Sequence, residues 1–236
     1  MMATSRRRST LARSPGAEGT IARFVHEELR RLVLEGRWKP GHTLVELDIA
    51  RRYGVSRAPA REALKLLERE GLVSAVPRRG YVVSEITVRQ IHELFDLRLI
   101  LEREAAVRAA RTATPQDIAH LESLVGDPYL PGDQESYRRF LAQNRVFHGA
   151  IARLARNERL AALVEALLEE LERLFHLGLD VRDRAEALVQ EHRDLVEAIR
   201  AHDPERASHV AAAQIENARH MVLEGVMQGS LSANIR

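Results

Sequence analysis

Apolar residues recur at helical spacing over most of the chain, and one short region alternates instead. Near the N-terminus an apolar stripe predicts a helix over residues 19–36. A short helix over 46–53 is followed by a tight turn and a third helix. Ser56 is placed to cap that third helix, and Pro59 falls in its first turn, where a missing N–H costs nothing. The third helix is predicted to end at Gly71.

Two β-branched segments, LVSAVP and YVVSE, flank the basic turn RRG and predict a β-hairpin after the third helix. Helix, helix, turn, helix and a two-stranded ribbon is the order of a winged helix-turn-helix. Beyond about residue 87 only helices are predicted, over 88–112, 115–125, 133–156, 158–178, 183–201 and 203–226. The expected fold is mainly α: an N-terminal winged helix-turn-helix with a small β-hairpin, then a C-terminal all-α antiparallel helical bundle.

Charge is distributed unevenly along the sequence. Residues 1–83 contain 17 Lys and Arg against 9 Asp and Glu, whereas residues 84–236 contain 19 against 25. A basic first third suits a polyanion, and an acidic remainder indicates a second domain with a different partner. We therefore expect a disordered basic arm over 1–18 and a winged helix-turn-helix domain over 19–84. A helical effector-binding and dimerisation domain should follow over 88–226, with a tail over 227–236.

Composition excludes several classes of protein. The absence of cysteine excludes disulfides, thiol catalysis and thiolate metal sites. No apolar run approaches the roughly 18 residues that a membrane span needs. The basic start lacks the apolar stretch of a secretion signal. We expect a cytoplasmic protein with no membrane partner.

The predicted third helix has a basic face and an apolar back. Its basic residues follow one side at spacings of four: Arg57, Arg61 and Lys65. The residues expected to be buried are Ala63, Leu64 and Leu67. Long donors reach base edges and phosphates, while a packed back holds the helix in register. The alternative is an ordinary solvated basic face, which the helix-turn-helix order and the basic balance disfavour.

The stretch from residue 32 to 83 resembles the winged helix-turn-helix of GntR-type transcriptional regulators, above all in KPG, GVSR.P.REAL..LE.EGLV and PRRG. The resemblance implies DNA contacts from the recognition helix and the wing tip, at Ser56, Arg57, Ala58, Arg61, Arg79 and Gly80. Helix geometry alone adds Lys65. At the wing tip, Arg78 and Arg79 supply positive charge, and the glycine lets the backbone approach a groove closely.

In the helical region, polar residues stand where the apolar stripes predict burial: Arg98, Asn144, His148, His192 and Gln214. Buried polar groups are costly unless they have partners, so several on different helices suggest one central polar cavity, the usual place for a ligand in a bundle. Each residue also has a purely structural interpretation. Arg98 can pair with Glu102 at i, i+4, and either histidine can be a hydrogen-bonded core residue.

Three segments, DLRLILEREAAVRAA, NRVFHGAIARLARNERL and EHRDLVEAIRAHDPERA, resemble the helical effector domain of the FadR subfamily of GntR regulators, over roughly 88–226. Many members hold a divalent metal through an Asp and three His, and the metal helps to bind a small organic acid. Those positions are occupied here by Asn144, His148, His192 and Gln214. Two alternatives stay open: a metal such as Zn or Ni at Asn144, His148 and His192, or a small carboxylate-type effector bound directly, with Arg98 gripping its carboxylate.

The resemblances imply a ligand-responsive, sequence-specific transcriptional regulator, expected to be a repressor that binds a pseudo-palindromic operator as a homodimer. Two other functions are possible from the residues alone. An architectural DNA-binding protein would bind without sequence preference and have an inert helical domain. A metal-assisted hydrolase would need a general base near the metal and would leave the basic winged domain unexplained. We expect that the chain is not an enzyme.

Overall fold

The computed structural model describes residues 15–179 and 183–233. The chain divides into two compact units, with a boundary between Ser84 and Glu85; a short segment, Leu34–Arg37, groups with the second unit. The elements of the first unit are α1 (Pro15–Leu34), β1 (Thr43–Leu44), α2 (Glu46–Tyr53), α3 (Arg57–Arg69), β2 (Val73–Val76) and β3 (Gly80–Val83).

Helix α1 begins at Pro15, earlier than the predicted start at residue 19. Proline suits a first helical turn because its fixed φ is helical and its missing N–H would have no partner there. The backbone of 15–18 is therefore helical, where a disordered arm was predicted. Residues 1–14 of that arm lie outside the described residues.

The turn between α2 and α3 forms as predicted, but the expected side-chain cap does not. Gly54 ends α2 with φ 65° and ψ 28°, a left-handed conformation that glycine adopts without strain. Ser56 occupies the N-cap of α3, yet its hydroxyl makes no capping hydrogen bond. The predicted apolar back of α3 is confirmed, since Ala63, Leu64 and Leu67 are fully buried.

The sheet has three antiparallel strands in the order β1-β3-β2. The predicted hairpin of β2 and β3 is present. Strand β1 was not predicted, because two residues are too few to show the alternation of apolar and polar positions that indicates a strand. Gly80 pairs at the start of β3 with φ 97°, and a Cβ there would lie 2.5 Å from the carbonyl oxygen of Leu44. Approach of the β1 backbone therefore requires a glycine at this position, in addition to the approach to a groove that the sequence predicts.

The second unit is a helical bundle made of α4 (Val88–Thr112), α5 (Pro115–Leu124), α6 (Gln134–Leu154), α7 (Glu158–Leu179), α8 (Ala185–Arg200) and α9 (Pro204–Ala233). Capping boxes at Thr87 and Thr114 start α4 and α5. Helix α9 packs along α4 and continues to Ala233, where a tail was predicted from residue 227. Residues 234–236 lie outside the described part.

The fully buried aromatic rings of the bundle include Phe95 on α4 and Phe147 on α6. Phe95 meets Phe175 of α7 edge to face, with ring centroids 6.2 Å apart. In the described residues, no helix is long and apolar enough to cross a membrane.

Candidate functional sites: a basic helix face and a buried polar cavity

Helix α3 presents a continuous basic surface. Arg57, Arg61 and Lys65 are all exposed, as are Ser56 and Ala58 at its N-terminal end. Long cations on one side of a helix with a packed back can reach phosphates and base edges together. All the helix residues singled out by the sequence are therefore exposed, and the three cations follow one side of α3.

Arg61 is held by a partner that the sequence did not suggest. Its Nε and Nη2 donate to the two carboxylate oxygens of Glu46, at 2.8 and 3.0 Å. Glu46 lies in the first turn of α2, and the packing of α2 against α3 brings it near. A guanidinium has a second pair of donors, on Nη1 and Nη2, which this contact leaves free to face a ligand.

The wing tip adds two more exposed cations. Arg78 has φ 65° and Arg79 follows it in the turn between β2 and β3. Both side chains are exposed, whereas Gly80 is half-buried. The tip therefore offers charge through its arginines, while its glycine serves the pairing of β1 with β3.

The polar residues predicted inside the bundle meet at one place. Arg98, Asn144, His148 and Gln214 line a small cavity between α4, α6 and α9, together with Phe140 and Phe175. This space admits the centre of a water-sized sphere over about 20 Å³, which is room for about one water molecule. His192 reaches the group from α8 by contacting Asn144.

Glu102 contacts two of these residues, of which the sequence predicted only Arg98. Its Oε1 accepts from Arg98 Nε at 2.5 Å, so the expected i, i+4 pair is present. Its Oε2 lies 2.8 Å from His148 Nδ1 on α6. A buried carboxylate thus bridges two cavity residues, which the spacing of residues within α4 alone cannot reveal.

The electrostatics of this cluster follow from burial and from the bridge. Burial raises the pKa of Glu102, but Arg98 and His148 outweigh it and hold that pKa at about 2. Burial lowers the pKa of His192 well below its ordinary value, and His148 and Arg98 add to that effect. At neutral pH Glu102 is therefore ionised and His192 is neutral.

His192 is fixed by a hydrogen bond and by ring contacts. Its Nε2 lies 3.1 Å from Asn144 Oδ1. Because an amide oxygen only accepts, Nε2 of the neutral ring carries the proton and donates. The ring also packs on Phe147, with centroids 4.3 Å apart.

Three buried polar atoms around the cavity have no hydrogen-bond partner among the described residues: Arg98 Nη1, His148 Nε2 and Gln214 Oε1. Their side chains are at most 4 % exposed. Buried polar atoms usually have partners, so groups of this kind indicate an absent ligand or water. The arrangement offers a bound molecule one cationic donor, one amide acceptor and one imidazole nitrogen.

The residues present do not fit a Zn or Ni ion. Both oxygens of Glu102 are engaged, and Nε2 of His192 donates to Asn144 instead of offering a lone pair. That leaves His148 Nε2 and neutral amide oxygens, which are weak ligands for such metals. His220, the nearest later histidine on α9, is exposed. Within the described ranges no group of three or more His, Cys, Asp or Glu is arranged to hold an ion.

Comparisons with known proteins agree with this architecture. Residues 21–83 match the family of bacterial regulatory proteins named gntR, and residues 93–217 match the FCD domain. The chain is 28% identical over 207 residues to the uncharacterized HTH-type transcriptional regulator YdhC of Bacillus subtilis, covering 85% of this chain and 92% of that protein.

It is also 28% identical over 190 residues to the HTH-type transcriptional regulator McbR of Escherichia coli, covering 80% and 86% of the two chains. A solved structure of E. coli McbR/YncC superposes with a TM-score of 0.66 at 26% identity, covering 86% of this chain and 97% of the other. The HTH-type transcriptional repressor RspR of E. coli is 26% identical over 179 residues, 76% of this chain and 78% of RspR.

The matched families and relatives are regulators of transcription and not enzymes. A helix-turn-helix unit with an exposed basic helix precedes a helical unit with a buried polar cavity. The chain therefore belongs to the GntR family of DNA-binding transcriptional regulators, with a C-terminal FCD domain.

Proposed function

We propose that this regulator is a repressor of the FadR type, which binds a pseudo-palindromic operator as a homodimer and responds to a small organic acid. One observation above all supports the sensing role. Arg98 is 2 % exposed and still has an unpartnered Nη1 beside a cavity lined by polar side chains. A buried guanidinium donor of this kind favours an anionic or strongly accepting ligand.

The DNA-binding part of the proposal is supported by the exposed basic face of α3. Arg57, Arg61 and Lys65 would approach the major groove, and Arg79 at the wing tip would add a contact beyond it. Cations on phosphates supply a salt-dependent affinity, and a few side chains supply the choice of sequence. GntR regulators bind operator DNA and typically act as dimers, and a two-fold dimer would read two half-sites.

The ligand would act by binding better to one functional state than to the other, because a ligand of equal affinity shifts nothing. A coupling free energy of about 1–3 kcal/mol would change operator affinity roughly 5- to 150-fold. Repression with release by the ligand is the direction we propose. RspR, a relative, bears the name of a repressor.

The test begins with an operator recovered by selection from random DNA. Sedimentation of the complex should give two chains per duplex, and footprinting should show two related half-sites. Small organic acids added at fixed salt should weaken the complex. Binding without sequence preference, or a single chain per site, would contradict the proposal. A complex tightened by every active acid would show that the ligand promotes binding instead.

A further inference from the structure

We infer that the cavity binds its ligand directly, without a metal ion, and that the ligand is a small carboxylic acid with a hydroxyl or other hydrogen-bond donor near its carboxylate. The inference rests on the proposed function, in which this cavity is the effector site. It follows from which atoms are already engaged and which are not.

The ring nitrogen Nε2 of His192 is already engaged in a hydrogen bond. Nε2 donates to Asn144 Oδ1 at 3.1 Å, and Phe147 packs on the ring. A metal would need the lone pair of Nε2, so this proton and this hydrogen bond would both have to be lost. An aspartate at position 144 would favour that exchange, whereas asparagine leaves the histidine as a donor.

The Glu102 carboxylate orients the other histidine. His148 Nδ1 donates to Glu102 Oε2 at 2.8 Å, which leaves Nε2 as the ring nitrogen that a ligand can contact. That nitrogen is buried and has no partner among the described residues. Gln214 Oε1, on α9, is an unpartnered acceptor at the same cavity. A buried amide oxygen without a partner calls for a ligand group that donates.

Arg98 requires a ligand group that accepts a hydrogen bond. Its Nε is held by Glu102, and its Nη1 is left to donate. A carboxylate oxygen is the acceptor that pairs best with a guanidinium. A molecule with a carboxylate and a nearby hydroxyl would satisfy Arg98 on one side and either His148 or Gln214 on the other. The enclosed space is about 20 Å³, which holds about one water molecule. The side chains around it must therefore move apart to admit even a small acid.

A metal titration tests the first half of the inference. Full-length protein without a metal-binding tag is titrated with ZnCl2 or NiCl2 alone in a calorimeter. The wild type should show no tight site, whereas a variant with Asn144→Asp and Gln214→His should gain one metal per chain. Gln143→Asp adds the same charge at an exposed position of α6 and should gain none.

One tight metal per wild-type chain, lost in His148→Gln, would overturn the inference. A folded double variant that gains no metal would also overturn it, because the four positions would then not converge. If the double variant does not fold by circular dichroism, Asn144→Asp alone is compared with the wild type, and equal metal binding would count against the inference. None of these readouts involves DNA, so they fail independently of the proposed function, which fails in operator binding.

The second half is tested by thermal unfolding in EDTA with paired acids that differ by one hydroxyl: glycolate with acetate, lactate with propionate, and malate with succinate. At least one hydroxy acid should raise Tm more than its partner, and Gln214→Leu or His148→Phe should abolish the difference. If no hydroxy acid exceeds its partner, or if the difference needs added metal, the assignment of the ligand is wrong.

Discussion

At the residue scale, two acidic side chains determine what neighbouring arginines can do. Glu46 holds one edge of Arg61, and Glu102 holds Nε of Arg98 while it orients His148. The basic and polar partners were predictable, because an arginine or a histidine in an unexpected place is visible in a sequence. The spacing also predicted Glu102 as a partner of Arg98, but not its contact with His148 on another helix. The Glu46 carboxylate was not predictable, since Glu46 and Arg61 are 15 positions apart and only the packing of α2 on α3 brings them together.

We expect Glu46→Gln to reduce specificity more than affinity. Without the carboxylate, Arg61 no longer has a fixed orientation, and discrimination at the base that it contacts should fall by about 1–3 kcal/mol. Binding to unrelated DNA should hold or rise, since a negative charge is removed. Asp48→Asn removes an equivalent exposed charge from the same helix. An unchanged ratio of specific to non-specific binding in Glu46→Gln would contradict this role of Glu46.

The bridge through Glu102 should give the protein a dependence of stability on pH. Its pKa is about 2 in the folded protein, against an ordinary 4.5. Because the pKa of Glu102 is lower in the folded protein than in the unfolded chain, ionised Glu102 stabilises the fold at pH values above about 4.5. That stabilisation is lost as the pH falls from about 4.5 to about 2. Glu102→Gln should therefore flatten the acid limb of the denaturant-measured unfolding free energy. Glu104→Gln, exposed on the same helix, should leave that limb unchanged.

Arg98 needs a paired variant because removal of one partner leaves a buried charge. Arg98→Ala alone should cost about 3–5 kcal/mol of stability, since Glu102 would remain ionised without its main partner. Arg98→Gln combined with Glu102→Gln removes both charges and keeps hydrogen-bonding groups. We expect the double variant to retain operator binding and lose the response to ligand. A full response measured in that variant would remove Arg98 from the effector site.

At the element scale, the helices follow closely from apolar periodicity, and α4 has the predicted bounds of 88 and 112. Elements that depend on tertiary contacts were missed. Strand β1 has two residues and exists because β3 pairs with it. The predicted last helix also ended at residue 226, whereas α9 continues to Ala233.

Gly80→Ala tests the importance of the β1–β3 contact. The added methyl group would meet the Leu44 carbonyl at 2.5 Å, and φ is 97°, which side chains rarely adopt. We expect a loss of about 1–3 kcal/mol in stability and weaker operator binding through a displaced wing. Gly19→Ala adds a methyl group in open space on α1 and should be neutral or stabilising. Equal stability of the two variants would show that β1 does not constrain the wing.

At the scale of the whole molecule, the two units have opposite net charge and offer different kinds of binding site, as a DNA-binding regulator that senses a ligand requires. The basic unit has exposed cations on one helix and at a wing tip, and the helical unit has unpartnered polar atoms in its interior. Sequence alone predicted the division, the family, the four polar residues that line the cavity and His192, which contacts Asn144. It could not predict which of those atoms already bond to each other, and that determines what the cavity can hold.

The most direct measurement is the operator dissociation constant at fixed salt, for the wild type and the Arg98→Gln, Glu102→Gln variant, across a series of small organic acids. For the wild type we expect at least one acid to raise the constant roughly 5- to 150-fold, and for the variant we expect no change. An equal effect in both proteins, or a constant that no acid changes in the wild type, would contradict the account of this cavity as the sensor.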